Sequence, residues 1–271
     1  MKTLLSIPVL GTFILFLYRL KIVSSFQFAY NWLIVKWLFT SRETTNFTFD
    51  LDDHQYKYLA DFVANVTNKP VAEIEGYIRE IETDDTLKQH ILSLTAKHPE
   101  RYKADRVIRY GKRLGWYAMV RALKPRVVVE TGVDKGLGCV VLTAALARNV
   151  QEGAQGEYYG TDINPQAGYL LQAPYAQYGK ILYGDSVESL RKFDKPIDLF
   201  INDSDHSDEY EAAEYETIVG KLAPNAYIIG DNSDITDKLH VFSRKYNRRF
   251  LFYKETAKNH WYQGGGIGVS Y

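Results

Sequence analysis

The residues best suited to chemistry lie in two short polar segments, each of which follows an apolar run. Asp203 and His206 follow one such run, and Asp231 and Asn232 follow the next. Two carboxylates and an amide form a set of hard oxygen ligands that suits Mg²⁺ or another hard divalent cation. Zinc prefers histidine and cysteine ligands, and only His206 is close in the sequence. If the two apolar runs form neighbouring strands, we expect these side chains to converge on one metal site.

Glycines follow an earlier apolar run, in the segment that contains Glu130, Gly132 and Gly136. Glycines at such a turn let the backbone bend tightly and bring a ligand close to main-chain amides. A phosphate-binding loop would place a lysine and a serine or threonine after its last glycine, and this segment does not. The acidic Glu130 suits a ligand with a cationic group, such as the amino acid end of S-adenosylmethionine. By itself, the segment is equally compatible with an ordinary strand-to-helix turn.

Acidic residues also follow the next two apolar runs, at Asp162 and Asp185. A carboxylate at the end of the second strand can accept hydrogen bonds from both ribose hydroxyls of an adenosine ligand. The carboxylate that follows the third strand is placed to meet an adenine amino group. Either residue alone would be interpreted as a helix N-cap. Their succession after a glycine turn favours adenosine binding.

Short apolar runs alternate with helical stretches from Arg126 onward, which indicates an α/β fold with a doubly wound, mostly parallel sheet. Ligands of such sheets bind beyond the carboxyl ends of the strands. The predicted strands are Val127–Glu130, Tyr158–Thr161, Lys180–Tyr183, Asp198–Ile201, Ala226–Ile229, Phe250–Tyr253 and Gly266–Ser270.

With these motifs, the chain from Tyr110 to its C-terminus resembles the class I S-adenosylmethionine-dependent methyltransferases. The resemblance implies a seven-stranded Rossmann-like sheet whose last strand is antiparallel. It also implies a cofactor site formed by residues from the first four strand ends. One departure is Asp134, where family members often have glycine. The cofactor residues implied are Glu130, Gly132, Gly136, Asp162, Asp185 and Asp203.

The Asp-x-Asp-His run at 203–206 is similar to that of metal-dependent O-methyltransferases and of relatives that act on sugars and natural products. In that branch, the residues matching Asp203, Asp231 and Asn232 bind the divalent ion, and the residue matching His206 serves as general base. The resemblance implies metal-assisted transfer of a methyl group to a hydroxyl of a sugar, a lipid-linked glycan or another small natural product. Asp203 and His206 are the expected catalytic residues. Two alternatives remain: a hydroxylase-like relative of the same fold, or a non-catalytic adenosyl-binding module recruited to a membrane.

Composition excludes some classes of protein. The 33 Lys and Arg residues balance 33 Asp and Glu residues, so a general nucleic-acid binder is not expected. The single cysteine, Cys139, excludes a disulfide framework within the chain. We expect an N-terminal hydrophobic segment (1–42), a helical cap or lid (43–123) and a cofactor-binding domain (124–271).

The first 40 residues contain two apolar stretches, of which neither reaches the roughly 20 residues that span a bilayer upright. A short membrane anchor or interfacial hairpin is expected. Cations after the first stretch would place the catalytic domain on the cytoplasmic side. A cleaved signal peptide is disfavoured because Tyr18, Arg19 and Lys21 stand where small residues would be needed. The alternative is a hydrophobic helical pair packed on the protein's own core or on the partner in a homodimer.

Overall fold

A seven-stranded sheet forms the centre of the molecule, in the computed structural model that describes residues 8–44, 48–231 and 233–271. Its strand order is β3-β2-β1-β4-β5-β7-β6. Neighbouring strands are parallel, except that β7 runs antiparallel to both β5 and β6. The strands are β1 (Val127–Thr131), β2 (Glu157–Asp162), β3 (Gly179–Tyr183), β4 (Ile197–Asn202), β5 (Leu222–Asp231), β6 (Phe250–Lys254) and β7 (Gly266–Ser270). The predicted doubly wound sheet with an antiparallel last strand is therefore confirmed.

The central strands form because their apolar side chains are covered on both faces. Every residue of β1 is buried, and β4 is buried apart from Asp198. Near-continuous runs of valine, isoleucine, leucine and phenylalanine are typical of parallel strands between two helical layers. This pattern is why the central strands were predictable from the sequence.

Helices precede the sheet and connect its strands. They are α1 (Pro8–Thr40), α2 (Asp53–Thr67), α3 (Val71–Glu82), α4 (Asp85–Lys97), α5 (Arg113–Leu123), α6 (Leu137–Gln151), α7 (Ser186–Lys192), α8 (Asp208–Ile218) and α9 (Lys238–Lys245). Short 3₁₀ helices occupy Arg101–Lys103, Tyr175–Tyr178 and Val219–Lys221.

The helical region before the sheet shares a hydrophobic core with it. Leu59 of α2, Ile74 of α3 and Trp116 of α5 are fully buried in one cluster with Val140 of α6 and strand residues. Helix α4 completes one wall of the cavity described below, through Ile91 and Thr95. The helical region is thus fixed against the sheet and helps to enclose the site.

Helix α1 corrects the expectation of two short apolar segments or a hairpin, because residues 8–40 form one continuous helix. The serine pair at 24–25 does not break it, since Ser25 Oγ donates to the carbonyl of Ile22 2.7 Å away within the helix. The segment Val9–Thr40 is long and apolar enough to cross a membrane, with a mean hydropathy of 1.6 and 6% of its most apolar window buried. At 1.5 Å per residue, it is about 50 Å long, which exceeds the roughly 30 Å hydrocarbon core of a bilayer.

Candidate functional site

A cavity of about 730 Å³ opens at the carboxyl ends of the parallel strands. This size lies within the range of small-molecule and cofactor sites. The sheet register explains why the predicted residues meet there. Thr131 pairs with Thr161 on one side and with Asn202 on the other, so the turns after β1, β2 and β4 lie side by side.

The turn after β1 depends on its glycines. Gly132 has a φ of +79°, and a Cβ at this position would lie 2.0 Å from the backbone oxygen of Asp203. Gly136, with a φ of +98°, directly precedes α6. Gly132 lines the cavity, whereas Gly136 does not, and cofactor contact by either residue remains a prediction. Gly132 is required because the turns after β1 and β4 are in direct contact.

Asp134 explains why relatives often have glycine at this position. Its φ of +46° is left-handed, a conformation that aspartate tolerates better than most other residues. Its amide donates to Asp162 Oδ2 over 2.8 Å, and Asp162 Oδ1 accepts from the amide of Asn164 at the same distance. The Asp162 carboxylate thus fixes the glycine turn while it lines the cavity, where it remains the predicted ribose ligand.

Asp185 begins α7 and also lines the cavity. Its Oδ1 accepts from the amide of Glu188, and its Oδ2 accepts from the Tyr210 hydroxyl over 2.9 Å. The backbone hydrogen bond from Glu188 holds the pKa of Asp185 below its ordinary value. The residue is therefore an N-cap and a cavity residue together, and the two sequence interpretations are compatible.

Glu130 lies deeper than the other predicted cofactor residues. Its side chain accepts a hydrogen bond from the Tyr158 hydroxyl beneath the glycine turn. Burial raises the pKa of Glu130 to about 8, so the protonated form predominates at neutral pH. It lines the floor of the cavity, and its contact with a cofactor remains a prediction.

The predicted catalytic cluster forms where β4 and β5 end. Asn202 pairs with Gly230, which places Asp203 alongside Asp231. Ligand atoms of Asp203, His206 and Asp231 all lie within 4.8 Å of one another. His206 Nε2 is 3.8 Å from Asp203 Oδ1. The fourth predicted residue, Asn232, lies outside the described residues.

Two cations that sequence reasoning missed lie against this cluster. Lys112 Nζ is 2.9 Å from Asp231 Oδ2, and Arg113 Nη2 is 3.6 Å from Asp203 Oδ2. Both precede or begin α5, more than 80 residues before the acidic residues that they contact. Only the three-dimensional packing of α5 against the sheet reveals these ion pairs, because no local motif connects the partners.

The neighbours of the two carboxyls set their charges differently. Although burial opposes ionisation, contact with Lys112 holds the pKa of Asp231 below its ordinary value. Burial and the adjacent Asp231 charge raise the pKa of Asp203. Of the two carboxyls, Asp203 is therefore the one that is protonated more readily.

Two buried carboxylate oxygens, Asp231 Oδ1 and Glu255 Oε2, belong to residues that lie next to Lys112. Neither accepts a hydrogen bond from an amide, amine or alcohol hydroxyl of the described residues. Buried acceptors normally have partners, so Asp231 Oδ1 is available to a cation or proton. Together with Asp203, it provides an oxygen donor pair that fits a divalent cation, with His206 beside it, while Lys112 and Arg113 already supply positive charge.

The buried carboxyl group of Glu214, which the sequence did not reveal as a site residue, connects the strand ends by hydrogen bonds. Glu214 of α8 accepts hydrogen bonds from Thr131, Ser186, Asn202 and Ser204. Burial raises its pKa to about 7. Glu214 therefore fixes the turns that carry the predicted site residues, and its place in the helical pattern of α8 gave no sign of this role.

Comparisons with known proteins agree with this geometry. Residues 129–233 match a family model described as a methyltransferase domain. The match begins in β1 and ends just past β5, so it contains the glycine turn and both halves of the acidic cluster. No curated protein matches the chain in a sequence search.

Solved structures share the fold at low sequence identity. An O-methyltransferase from Bacillus cereus in complex with SAH aligns with a TM-score of 0.52 and 13% identity, over 80% of this chain and 98% of that one. A methyltransferase from Geobacter sulfurreducens aligns with a TM-score of 0.51 and 18% identity, over 67% and 88%. TomG, an O-methyltransferase from Streptomyces achromogenes, aligns with a TM-score of 0.51 and 14% identity, over 69% and 89%.

The strand order and the matched segment agree with each other. Residues 129–233 match a methyltransferase domain, and the chain has the fold of the solved methyltransferases to which it is similar.

Proposed function

We propose that the protein transfers the methyl group of S-adenosylmethionine to a hydroxyl oxygen of a sugar-like or other small acceptor, with help from a divalent cation. The observation that carries this proposal is a single cavity lined by the glycine turn, Asp162 and Asp185 and also by Asp203, His206 and Asp231. A donor nucleoside at one end and a hydroxyl acceptor at the other would meet within it.

The turn after β1 and the carboxylates of Asp162 and Asp185 support donor binding. Asp162 follows β2, where it can receive ribose hydroxyls, and Asp185 precedes α7, beside the position expected for adenine. The Asp162 carboxylate is already held by two backbone amides. Preorganisation of this kind lowers the cost of ordering the site when a ligand binds.

The acceptor end supports proton removal from a hydroxyl. In the transfer, a carbon–oxygen bond forms, the sulfur–carbon bond breaks, and the hydroxyl proton must leave. His206 lies 3.8 Å from Asp203 and lines the cavity, so its imidazole is placed to take that proton. Lys112 and Arg113 provide fixed positive charge that favours an oxyanion near the cluster.

The residues that would hold a divalent cation are Asp203 and Asp231, whose ligand atoms lie within 4.8 Å of each other and of His206. When bound, such an ion supplies positive charge that lowers the pKa of a coordinated hydroxyl. Asn232 stays the predicted further ligand. Because Lys112 already contacts Asp231, we expect weak to moderate metal affinity rather than a permanently bound ion.

We also propose that α1 anchors the protein in a membrane with the catalytic domain on the cytoplasmic side. Its length and hydropathy support this, and so do exposed apolar side chains such as Phe13, Phe16 and Phe26. Lys36 and Arg42 lie at the end of α1 that joins the catalytic domain. Because cations are enriched in the cytoplasmic flanks of membrane helices, their position favours a cytoplasmic domain.

The proposal is tested by incubating the full chain with S-adenosylmethionine labelled in its methyl group and with membrane and soluble extracts of the host. His206→Ala and Asp231→Asn should lower transfer about 100-fold or more while donor affinity, measured by calorimetry, stays within a few-fold. Asp208→Asn, an exposed change at the start of α8, is the matched control and should retain full transfer. Chelation should lower the rate, and added Mg²⁺ should restore it.

Donor binding without transfer to any fraction would contradict the proposal and favour an adenosyl-binding module. Full activity of both site variants would contradict the assigned roles of His206 and Asp231. Full activity in the presence of the chelator would contradict a role for a divalent cation.

A further inference from the structure

A second cavity, of about 860 Å³, lies between the C-terminal end of α1 and the catalytic domain. Its walls come from the last two turns of α1, the segment 48–53, the segment 105–109 and the segment 258–260. It lies outside the segment that matches the methyltransferase family model.

The second cavity adjoins the cavity at the strand ends. The two share wall residues, so they lie next to each other on the same side of the molecule. A molecule that occupies the second cavity therefore lies beside the cavity that His206 lines. The shared residues are Thr48, Phe49, Asp105, Val107 and Arg109.

The lining of the second cavity favours a neutral, polyhydroxylated ligand. Five cations and four carboxylates line it, so it attracts neither a strongly anionic nor a strongly cationic group. Closely spaced hydrogen-bond donors and acceptors beside aromatic rings suit sugar hydroxyls and sugar ring faces. The charged residues are Lys36, Arg42, Arg106, Arg109 and Lys258 against Asp50, Asp53, Glu82 and Asp105, and the rings are Trp37, Phe49, Tyr56 and His260.

Helix α1 is joined firmly to the wall of this cavity. Ser41 Oγ and the Arg42 amide both donate to the Asp105 carboxylate, over 3.1 Å and 2.7 Å. Trp37 packs edge-on against Trp261, with ring centroids 5.4 Å apart. The polar cavity is thereby held beside the end of an apolar helix, at the depth where lipid headgroups meet water.

We infer that the second cavity binds the sugar headgroup of a membrane lipid and presents one of its hydroxyls to His206. The lipid chains would remain in the bilayer beside α1, and the headgroup would enter through the boundary shared by the two cavities. This inference rests on the proposed O-methyl transfer and names the class of acceptor as a neutral glycolipid.

The test uses the full chain in phosphatidylcholine vesicles that contain the total lipid extract of the host, with labelled S-adenosylmethionine. Free glucose and methyl glucoside in the aqueous phase form the second arm. The inference predicts label in the organic phase that is released as an O-methyl sugar when glycosidic bonds are cleaved. Label confined to the free sugars, or to a lipid product without a methylated sugar, would overturn it while leaving O-methyl transfer intact.

The double variant Asp50→Asn with Arg106→Gln removes polar groups that line only the second cavity. It should lower transfer to the lipid fraction at limiting acceptor by roughly tenfold, the loss expected from one or two hydrogen bonds, and leave donor affinity unchanged. The matched control is Glu216→Gln with Lys245→Gln, an exposed ion pair between α8 and α9 that lines neither cavity. Equal rates for both double variants would overturn the assignment of the second cavity.

Discussion

At the scale of single residues, Asp203 and Asp231 show how packing assigns different states to two aspartates that look equivalent in sequence. Asp231 is paired with Lys112, whereas Asp203 is partly buried between Arg113 and the Asp231 charge. Removal of one partner from a buried ion pair costs about 3–5 kcal/mol, because the other charge is left uncompensated. The ion pair is therefore testable by a double-mutant cycle.

Lys112→Met should lower the free energy of unfolding by about 3 kcal/mol, because it leaves Asp231 buried without its cation. The double variant Lys112→Met with Asp231→Asn should recover part of that loss, since no unpaired charge remains. Urea unfolding of the full chain in detergent measures both. Additive effects of the two changes would show that the pair is not coupled.

The buried Glu130 makes stability depend on pH. An unfolded carboxyl titrates near 4.5, while burial raises the folded pKa to about 8, so between these values the folded state binds more protons. The free energy of unfolding should therefore fall as pH rises through this window. Glu130→Gln should make that fall shallower when unfolding is measured at several pH values between these limits.

Glu214 contributes a fall of the same sign, because burial raises its pKa to about 7, so the slope should be reduced but not abolished in Glu130→Gln. The exposed change Glu188→Gln serves as control and should leave the slope as in the parent protein. An unchanged slope in Glu130→Gln would contradict the assignment of a protonated Glu130.

Three carboxylates of the site, Asp162, Asp203 and Asp231, could be predicted because they directly follow apolar strands, and strand ends share one edge of a parallel sheet. Lys112 and Glu214 could not be predicted in this way. They reach the site from helices, and which face of a helix turns toward the sheet edge depends on packing that is not encoded in local spacing. Local sequence patterns therefore identify the carboxylates that follow the strands, but they do not reveal the cation that pairs with them or the carboxyl that holds the turns.

At the scale of elements, the glycine turn after β1 tolerates little change in its side chains. Gly132→Ala should abolish or strongly reduce donor binding and lower stability by more than about 1 kcal/mol. Its φ of +79° disfavours alanine, and the new Cβ would lie 2.0 Å from the Asp203 carbonyl oxygen. Calorimetry with S-adenosylhomocysteine and urea unfolding check these two effects.

Gly76 on α3 provides the matched substitution. A Cβ at this position would meet nothing within 4 Å, and the residue lies inside a helix. Gly76→Ala should therefore stabilise the protein by about 0.5–1 kcal/mol and leave donor binding unchanged. Equal behaviour of the two variants would show that the turn has no special role.

The elements themselves were largely predictable, and the exception has a physical reason. The seven strands and the helices of the region 43–123 follow from hydrophobic periodicity and capping residues. Helix α1 was expected as two shorter segments because polar residues interrupt its apolar run. Serine, glutamine and asparagine do not end a helix when their side chains bond within it, as Gln27 does with Asn31 over 2.7 Å.

At the scale of the whole molecule, the proposed membrane role of α1 can be tested directly. The double change Phe13→Lys with Phe16→Lys introduces charges on exposed positions of the uncharged stretch 8–18 of α1, and a bilayer disfavours such charges by up to about 2.5–3.5 kcal/mol each. We expect the variant to leave the membrane fraction in vesicle flotation, with donor affinity unchanged. Flotation equal to that of the parent protein would contradict a membrane role for α1.

The proposed methyl transfer depends on one arrangement, in which the donor and the acceptor meet at the carboxyl ends of β4 and β5. The most direct measurement is a crystal structure of the protein with S-adenosylhomocysteine and Mn²⁺, whose anomalous signal locates the ion. We predict that the adenosine lies between Asp162 and Asp185, that the sulfur faces His206, and that the ion is bound to Asp203 and Asp231. A nucleoside bound outside this cavity, or a sulfur turned away from His206, would contradict it.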